Sequence, residues 1–242
     1  MANSISLTGT RRLGVLALAL VALLGLASLF TASASASAKT GLFHAPVQGL
    51  HHGKNSTSTN WSGYANTGGT FTDVKGTWTE PTATCSSRQT AYAAFWVGID
   101  GDGTNSVEQI GTDSDCSRGR ATYYAWYEMY PQYPVNLSNP VSPGDSLTGE
   151  VKYNGSGSFT LSIKDNTKGW SFSTNQTYTP AQLGSAEWIA EAPSSNSGVL
   201  PLANFGTVNF SSCTANGVSI SSNPNPDEIV METSGGTVKA ER

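Results

Sequence analysis

AFWVGIDGDGTNSVEQIG, residues Ala94 to Gly111, holds two short runs of strand-forming residues around a connection of Gly, Asp and Asn. Such a pattern reads as a β-hairpin, since Gly and Asn accept the backbone angles that a reversal needs. The loop Asp100-Gly101-Asp102-Gly103 with Asn105 is read first as that hairpin connection, and second as a calcium loop. Working outward, the same grammar repeats. Strand-like runs cover Gly76–Glu80, Ala91–Ile99, Ala121–Tyr130, Ser146–Tyr153, Ser158–Lys164, Gly169–Ser173, Thr207–Ser211 and Glu228–Glu232. Asn154-Gly155, Asp165-Asn166 and Pro143-Gly144-Asp145 punctuate them. No run of helical length shows helical periodicity, so the chain is expected to be all-β, a two-sheet antiparallel sandwich.

Alternation along a strand then assigns faces. In YYAWYEMYP (Tyr123 to Pro131), Tyr124, Trp126, Glu128 and Tyr130 share one face. In AEWIAE (Ala186 to Glu191), Glu187 and Glu191 share a face with Ile189. In the hairpin, Trp96 and Asp100 face together, and Gln109 faces away from Glu108 and Ile110. If these strands are neighbours, one face collects Trp96, Asp100, Gln109, Trp126, Glu128, Tyr130 and Glu191. Aromatic walls with converging polar groups suit a cleft for an extended ligand.

The N-terminus reads as a cleaved leader. Arg11 and Arg12 precede an apolar run from Leu13 to Phe30, followed by Ala34-Ser35-Ala36 and Ala36-Ser37-Ala38. Both small-residue triplets fit a signal-peptide cleavage site, so residues 1–38 are expected to direct secretion to the extracellular space. Residues 39–59 read as a propeptide or flexible arm, and 60–242 as one domain. From Asn60 onward nine basic residues stand against seventeen acids, a charge of −8. That balance argues against nucleic acid as a partner. The lead carries Lys39 and Lys54, and its positive charge against an acidic body suggests a cover over the site that acid releases. Of the three cysteines, Cys85 and Cys116 flank the first strand pair and are the favoured disulfide, with Cys213 left open as a partner on sequence alone.

Composition also limits the chemistry. All three histidines, His44, His51 and His52, precede the body. A Ser-His-Asp or Cys-His system and a zinc site therefore lack their usual residues there. Carboxylate and amide chemistry remain. A glycosidase pair from Glu187 and Glu191 fails, since four residues of strand separate them by roughly 13 Å.

Five motifs then resemble a known family. They are N-W-S-G (Asn60–Gly63), W-V-G-I-D-G (Trp96–Gly101), Q-x-G-x-D (Gln109 to Asp113), A-W-Y-E-x-Y-P (Ala125–Pro131) and A-E-W-I-A-E (Ala186–Glu191). Their order and spacing are similar to those of the glutamic peptidases, or eqolisins. The resemblance implies a lectin-like sandwich and an acid endopeptidase that needs no cofactor and no metal. It also implies a catalytic pair, with Gln109 stabilising the oxyanion and Glu191 activating water and protonating the leaving amine. Trp96, Asp100, Trp126, Glu128 and Tyr130 are the supporting or substrate-binding candidates. Glu108, Ile110 and Met129 depart from the better-known fungal members, but alternation points them away from Gln109. The expected partner is a polypeptide substrate, with no membrane after leader cleavage and a monomeric state. The rival reading is a secreted carbohydrate-binding or carbohydrate-cleaving sandwich, which aromatic platforms and acids would also suit.

Overall fold

A computed structural model of the chain describes residues 41–50, 55–222 and 226–241. The leader at 1–38, the charges of Lys39 and Lys54, and His51 and His52 lie outside the described residues. In chain order the strands are β1 (Gly49–Leu50), β2 (Asn55–Ser58), β3 (Trp61–Thr67), β4 (Asp73–Thr79), β5 (Ala94–Ile99) and β6 (Val107–Ser117). Next come β7 (Arg120–Tyr130), β8 (Val135–Pro140), β9 (Ser146–Gly155), β10 (Ser158–Asp165), β11 (Ser171–Thr177) and β12 (Ser185–Glu191). The remainder are β13 (Ser194–Ser195), β14 (Gly198–Val199), β15 (Phe210–Ala215), β16 (Val218–Ser219), β17 (Asp227–Glu232) and β18 (Val238–Ala240).

Two large sheets form. A front sheet has the order β1-β2-β17-β3-β12-β5-β6-β7-β8, with β18 also on β17, and a back sheet has the order β11-β10-β9-β4-β15-β16. Between them lies a core that includes Val74, Trp78, Phe95, Val97, Ile110, Leu147, Val151, Phe159, Leu161 and Trp188. The back sheet obeys simple alternation. Leu147 and Val151 of β9, and Phe159, Leu161 and Ile163 of β10, are buried, with less buried residues between them. Strands β5 and β12 are instead buried on both faces. Their inner residues enter the core, while their outer residues join a second apolar cluster of Trp61, Ala65, Ala94, Trp96, Val107, Trp126, Ile189 and Ile229.

The sandwich agrees with the expected fold, with a departure from an all-antiparallel arrangement of its strands. β2 runs parallel to β17 at the register Glu228↔Asn55 to Met231↔Ser58. Part of the lead, read as a propeptide or flexible arm, is therefore a strand of the front sheet. Its anchor is the Asp227 carboxylate, which accepts from the Ser56 hydroxyl at 2.6 Å and the Ser56 amide at 3.1 Å. Pairing along β17 satisfies backbone groups that an open edge would leave bare. Cys85 and Cys116 form the expected disulfide, and Cys213 is free and buried.

Candidate active site

The register of the front sheet sets out the site in rows. Glu187, Gly98, Gln109 and Glu128 stand opposite one another across β12, β5, β6 and β7. Two residues further along come Ile189, Trp96, Gly111 and Trp126, and then Glu191, Ala94, Asp113 and Tyr124. Directly paired residues share a face, so these side chains occupy the outer surface of the front sheet. Glu108, Ile110 and Met129 fall on the opposite face, as alternation predicts. Ile110 and Met129 lie in the core between the sheets, and Glu108 pairs with Met129 and Ile99. Gly111 lets the strands close beneath the tryptophans. A Cβ there would lie 2.4 Å from the Phe95 carbonyl oxygen and 2.5 Å from Trp96 Cβ.

Residues 43–47 lie across this face. The Gln109 amide nitrogen donates to the His44 carbonyl at 2.8 Å and reaches Glu128 Oε2 at 3.4 Å. Trp61 Nε1 donates to the Ala45 carbonyl at 3.0 Å. The Asn60 amide donates to the carbonyls of Ala45 and Pro46, each at 3.2 Å, and to Glu191 Oε1 at 3.4 Å. Trp96 Nε1 donates to Glu191 Oε2 at 2.9 Å. The donors that hold Glu191 and the donors that grip the segment's backbone thus converge.

The His44 ring enters a pocket of its own. It stacks on Trp126 with centroids 3.7 Å apart and planes 4° from parallel. Nδ1 lies 2.8 Å from Glu128 Oε2, and Nε2 lies 3.2 Å from Asp113 Oδ1. The His44 backbone amide also donates to Glu128 Oε2 at 2.9 Å. Asp113 is held in turn by Trp126 Nε1 at 2.8 Å and the Tyr124 hydroxyl at 2.8 Å. Phe43 packs beside Tyr130, ring centroids 5.9 Å apart.

Burial under the segment shapes the charges. Desolvation opposes charging His44, but the carboxylates of Asp113 and Glu128 outweigh it and hold the imidazole well above its usual range. Burial raises Glu128, with the His44 charge pulling it back only in part. Glu191 is driven well above the ordinary carboxylate range by burial, against the His44 charge and reinforced by Glu128.

Six of the seven residues expected from alternation and motif, namely Gln109, Glu191, Trp96, Trp126, Glu128 and Tyr130, gather around this face. Asp100 does not. Its backbone is left-handed, with φ 68°, which breaks the alternation that placed it beside Trp96. Its carboxylate instead accepts the backbone N–H groups of Gln182, Leu183 and Gly184 at 2.8, 2.9 and 2.7 Å. It anchors the approach to β12. Asn60, Trp61 and Asp113 lay inside the quoted motifs but were not singled out, although their side chains hold the site together. His44 precedes the body and lies in none of the five motifs.

The pattern of residues matches known proteins. A profile of the Peptidase A4 family covers residues 59–241. This chain belongs to that family, the eqolisins. It is 32% identical over 182 residues to aspergillopepsin-2 of Aspergillus niger, spanning 65% of this chain and 64% of that protein. It is 30% identical over 195 residues to scytalidopepsin B of Scytalidium lignicola, spanning 75% and 73%. The chain thus spans just under two thirds of the aspergillopepsin relative. The crystal structure of scytalido-glutamic peptidase with a transition-state analogue superposes at a TM-score of 0.63 and 29% identity, covering 74% of this chain and 91% of that one. This eqolisin shares their fold.

Proposed function

We propose that this eqolisin is a secreted acid endopeptidase that works through Gln109 and Glu191. The observation that carries the reading is the Gln109 amide donating to a peptide carbonyl on the face that also bears Glu191. With a substrate bound, ionised Glu191 takes a proton from a water, whose oxygen adds to the carbonyl carbon. The Gln109 amide has two N–H donors and no removable charge, which suits it to hold the developing oxyanion. Glu191 then delivers the proton to the leaving nitrogen as the C–N bond breaks. Trp96 and Asn60 orient the Glu191 carboxyl. The family, and a relative solved with a transition-state analogue, support this reading.

The lead at 39–59 acts as a propeptide, and its residues 43–47 already lie across the cleft. Falling pH protonates Glu128, whose range is raised by burial, and the pairing that holds His44 weakens. The decisive experiment is release of acid-soluble peptides from denatured haemoglobin in acid, insensitive to pepstatin and chelators, with Glu191→Ala as control. Proteolysis that persists in that variant sinks the assignment.

A further inference from the structure

Residues 43–47 lie in the cleft as an extended peptide, and its backbone uses the donors a foreign peptide would need. The His44 carbonyl is on Gln109, the Ala45 carbonyl on Trp61 and Asn60, and the Pro46 carbonyl on Asn60. If Gln109 is the oxyanion donor, as proposed above, the carbonyl it grips belongs to the scissile bond. That bond joins His44 to Ala45, and the side chain before it is the His44 ring. The ring is sandwiched against Trp126 and faces Asp113 and Glu128, with Glu191 and its charge near enough to couple to it. Tyr124 and Trp126 fix Asp113 from behind. A flat cation satisfies every feature of this pocket, through stacking on the indole and charge-assisted hydrogen bonds to the two acids. A leucine there would take from Asp113 and Glu128 the two contacts that the ring nitrogens make.

We infer that Trp126, Asp113 and Glu128 form a specificity pocket for a flat cationic side chain, that substrates with His before the scissile bond are favoured, and that the first bond cut is this chain's own His44–Ala45 bond. Water adds to the His44 carbonyl carbon and the bond to the Ala45 nitrogen breaks. The proton that Glu191 takes from water goes to that nitrogen, leaving a His44 carboxyl group and an Ala45 amine.

Two measurements test this. Quenched fluorescent peptides with a Phe-Xaa-Ala-Pro-Val core, Xaa being His, Arg, Leu or Glu, are assayed with processed enzyme in mild acid. The kcat/KM for His is expected to exceed that for Leu by about tenfold or more, as two charge-assisted bonds allow. In Asp113→Asn, or in Glu128→Gln should the first variant misfold, the His-to-Leu ratio should fall toward one. Separately, the full chain is acidified and its fragments are weighed by mass spectrometry. A fragment ending at His44 is expected, formed at a rate independent of protein concentration, slowed in His44→Leu and absent in Glu191→Ala. A His-to-Leu ratio near one, or a Glu191-dependent cut elsewhere with none after His44, overturns the inference and leaves the Gln109–Glu191 assignment standing. No Glu191-dependent cleavage of any substrate overturns both.

Discussion

The carboxamide nitrogen of Gln109 lies 2.8 Å from the carbonyl oxygen of His44, sixty-five residues earlier in the chain. One strand of the front sheet, β5, separates Gln109 from the strand that carries Glu191. An amide donor, a peptide carbonyl and a carboxyl group therefore meet on one surface. This relationship ties the site to the segment that covers it.

Gln109→Ala should lower the rate of haemoglobin hydrolysis by about 10²–10³, the usual worth of one oxyanion donor. Glu191→Gln should cost at least as much, because an amide cannot carry a proton to the leaving nitrogen. Both variants should keep the circular dichroism of the parent. Near-parental turnover in either one removes that residue from the mechanism.

His44→Ala in the unprocessed chain should loosen the cover. Asp113 and Glu128 would lose the cation that pairs with them, and the stacking on Trp126 would go. Titrating the activity of the uncleaved chain against pH should show onset at a higher pH than in the parent. An unchanged onset would mean that the segment is held by its backbone contacts alone.

Thermal stability should be highest in acid and fall as pH rises. Burial pushes Glu80 up to about 7, with Thr112 and Ser114 pulling the other way. Burial, then the charge of Asp100, pushes Glu108 up to about 9, and burial holds Glu187 well above its usual range. A carboxyl whose folded value is raised contributes fully below its unfolded value of 4.5. That contribution is lost as pH climbs through the folded value. Melting curves between mild acid and mild alkali should therefore decline, and Glu108→Gln should flatten the decline. A melting temperature that rises over this range contradicts the account.

Asp100→Ala should destabilise the fold by about 3 kcal/mol, since three backbone N–H groups lose their acceptor. Activity should fall with it, because the segment 182–184 leads directly into β12 and Glu191. Asp100→Asn keeps an acceptor oxygen and should recover part of both. Urea denaturation of the two variants measures the difference, and equal stability in Asp100→Ala and the parent would refute the anchoring role.

Breaking the disulfide by Cys85→Ala with Cys116→Ala should cost about 3 kcal/mol, from the chain entropy released in the unfolded state. The bond spans a sequence separation of 31. Differential scanning calorimetry of the pair variant and the parent would show it, and coincident transitions would not fit.

Much of the fold was legible. Strands β7, β9, β10 and β17 fall within two residues of the runs read from the sequence, and in β9, β10 and β17 one face lies against the core and the period of two shows through. The placement of Gln109, Trp126 and Glu128 on one face was legible for the same reason. Asp100 was not, since a positive φ leaves no mark in a hydrophobic pattern. The second burial of Trp96 and Glu191 was hidden too. It depends on a segment that returns from before the body, and periodicity carries no information on which distant residue will cover an outer face.

By itself the sequence determined the strand pattern, the faces of β6, β7 and β12, and the five motifs that mark an eqolisin, because these follow from side-chain period and local residue type. Tertiary structure alone decided that β2 pairs in parallel with β17, that Asp100 serves backbone amides, and that His44 lies between Asp113, Glu128 and Trp126. Those outcomes are set by contacts between residues far apart in the chain, where geometry and charge are fixed only once the sheets have closed.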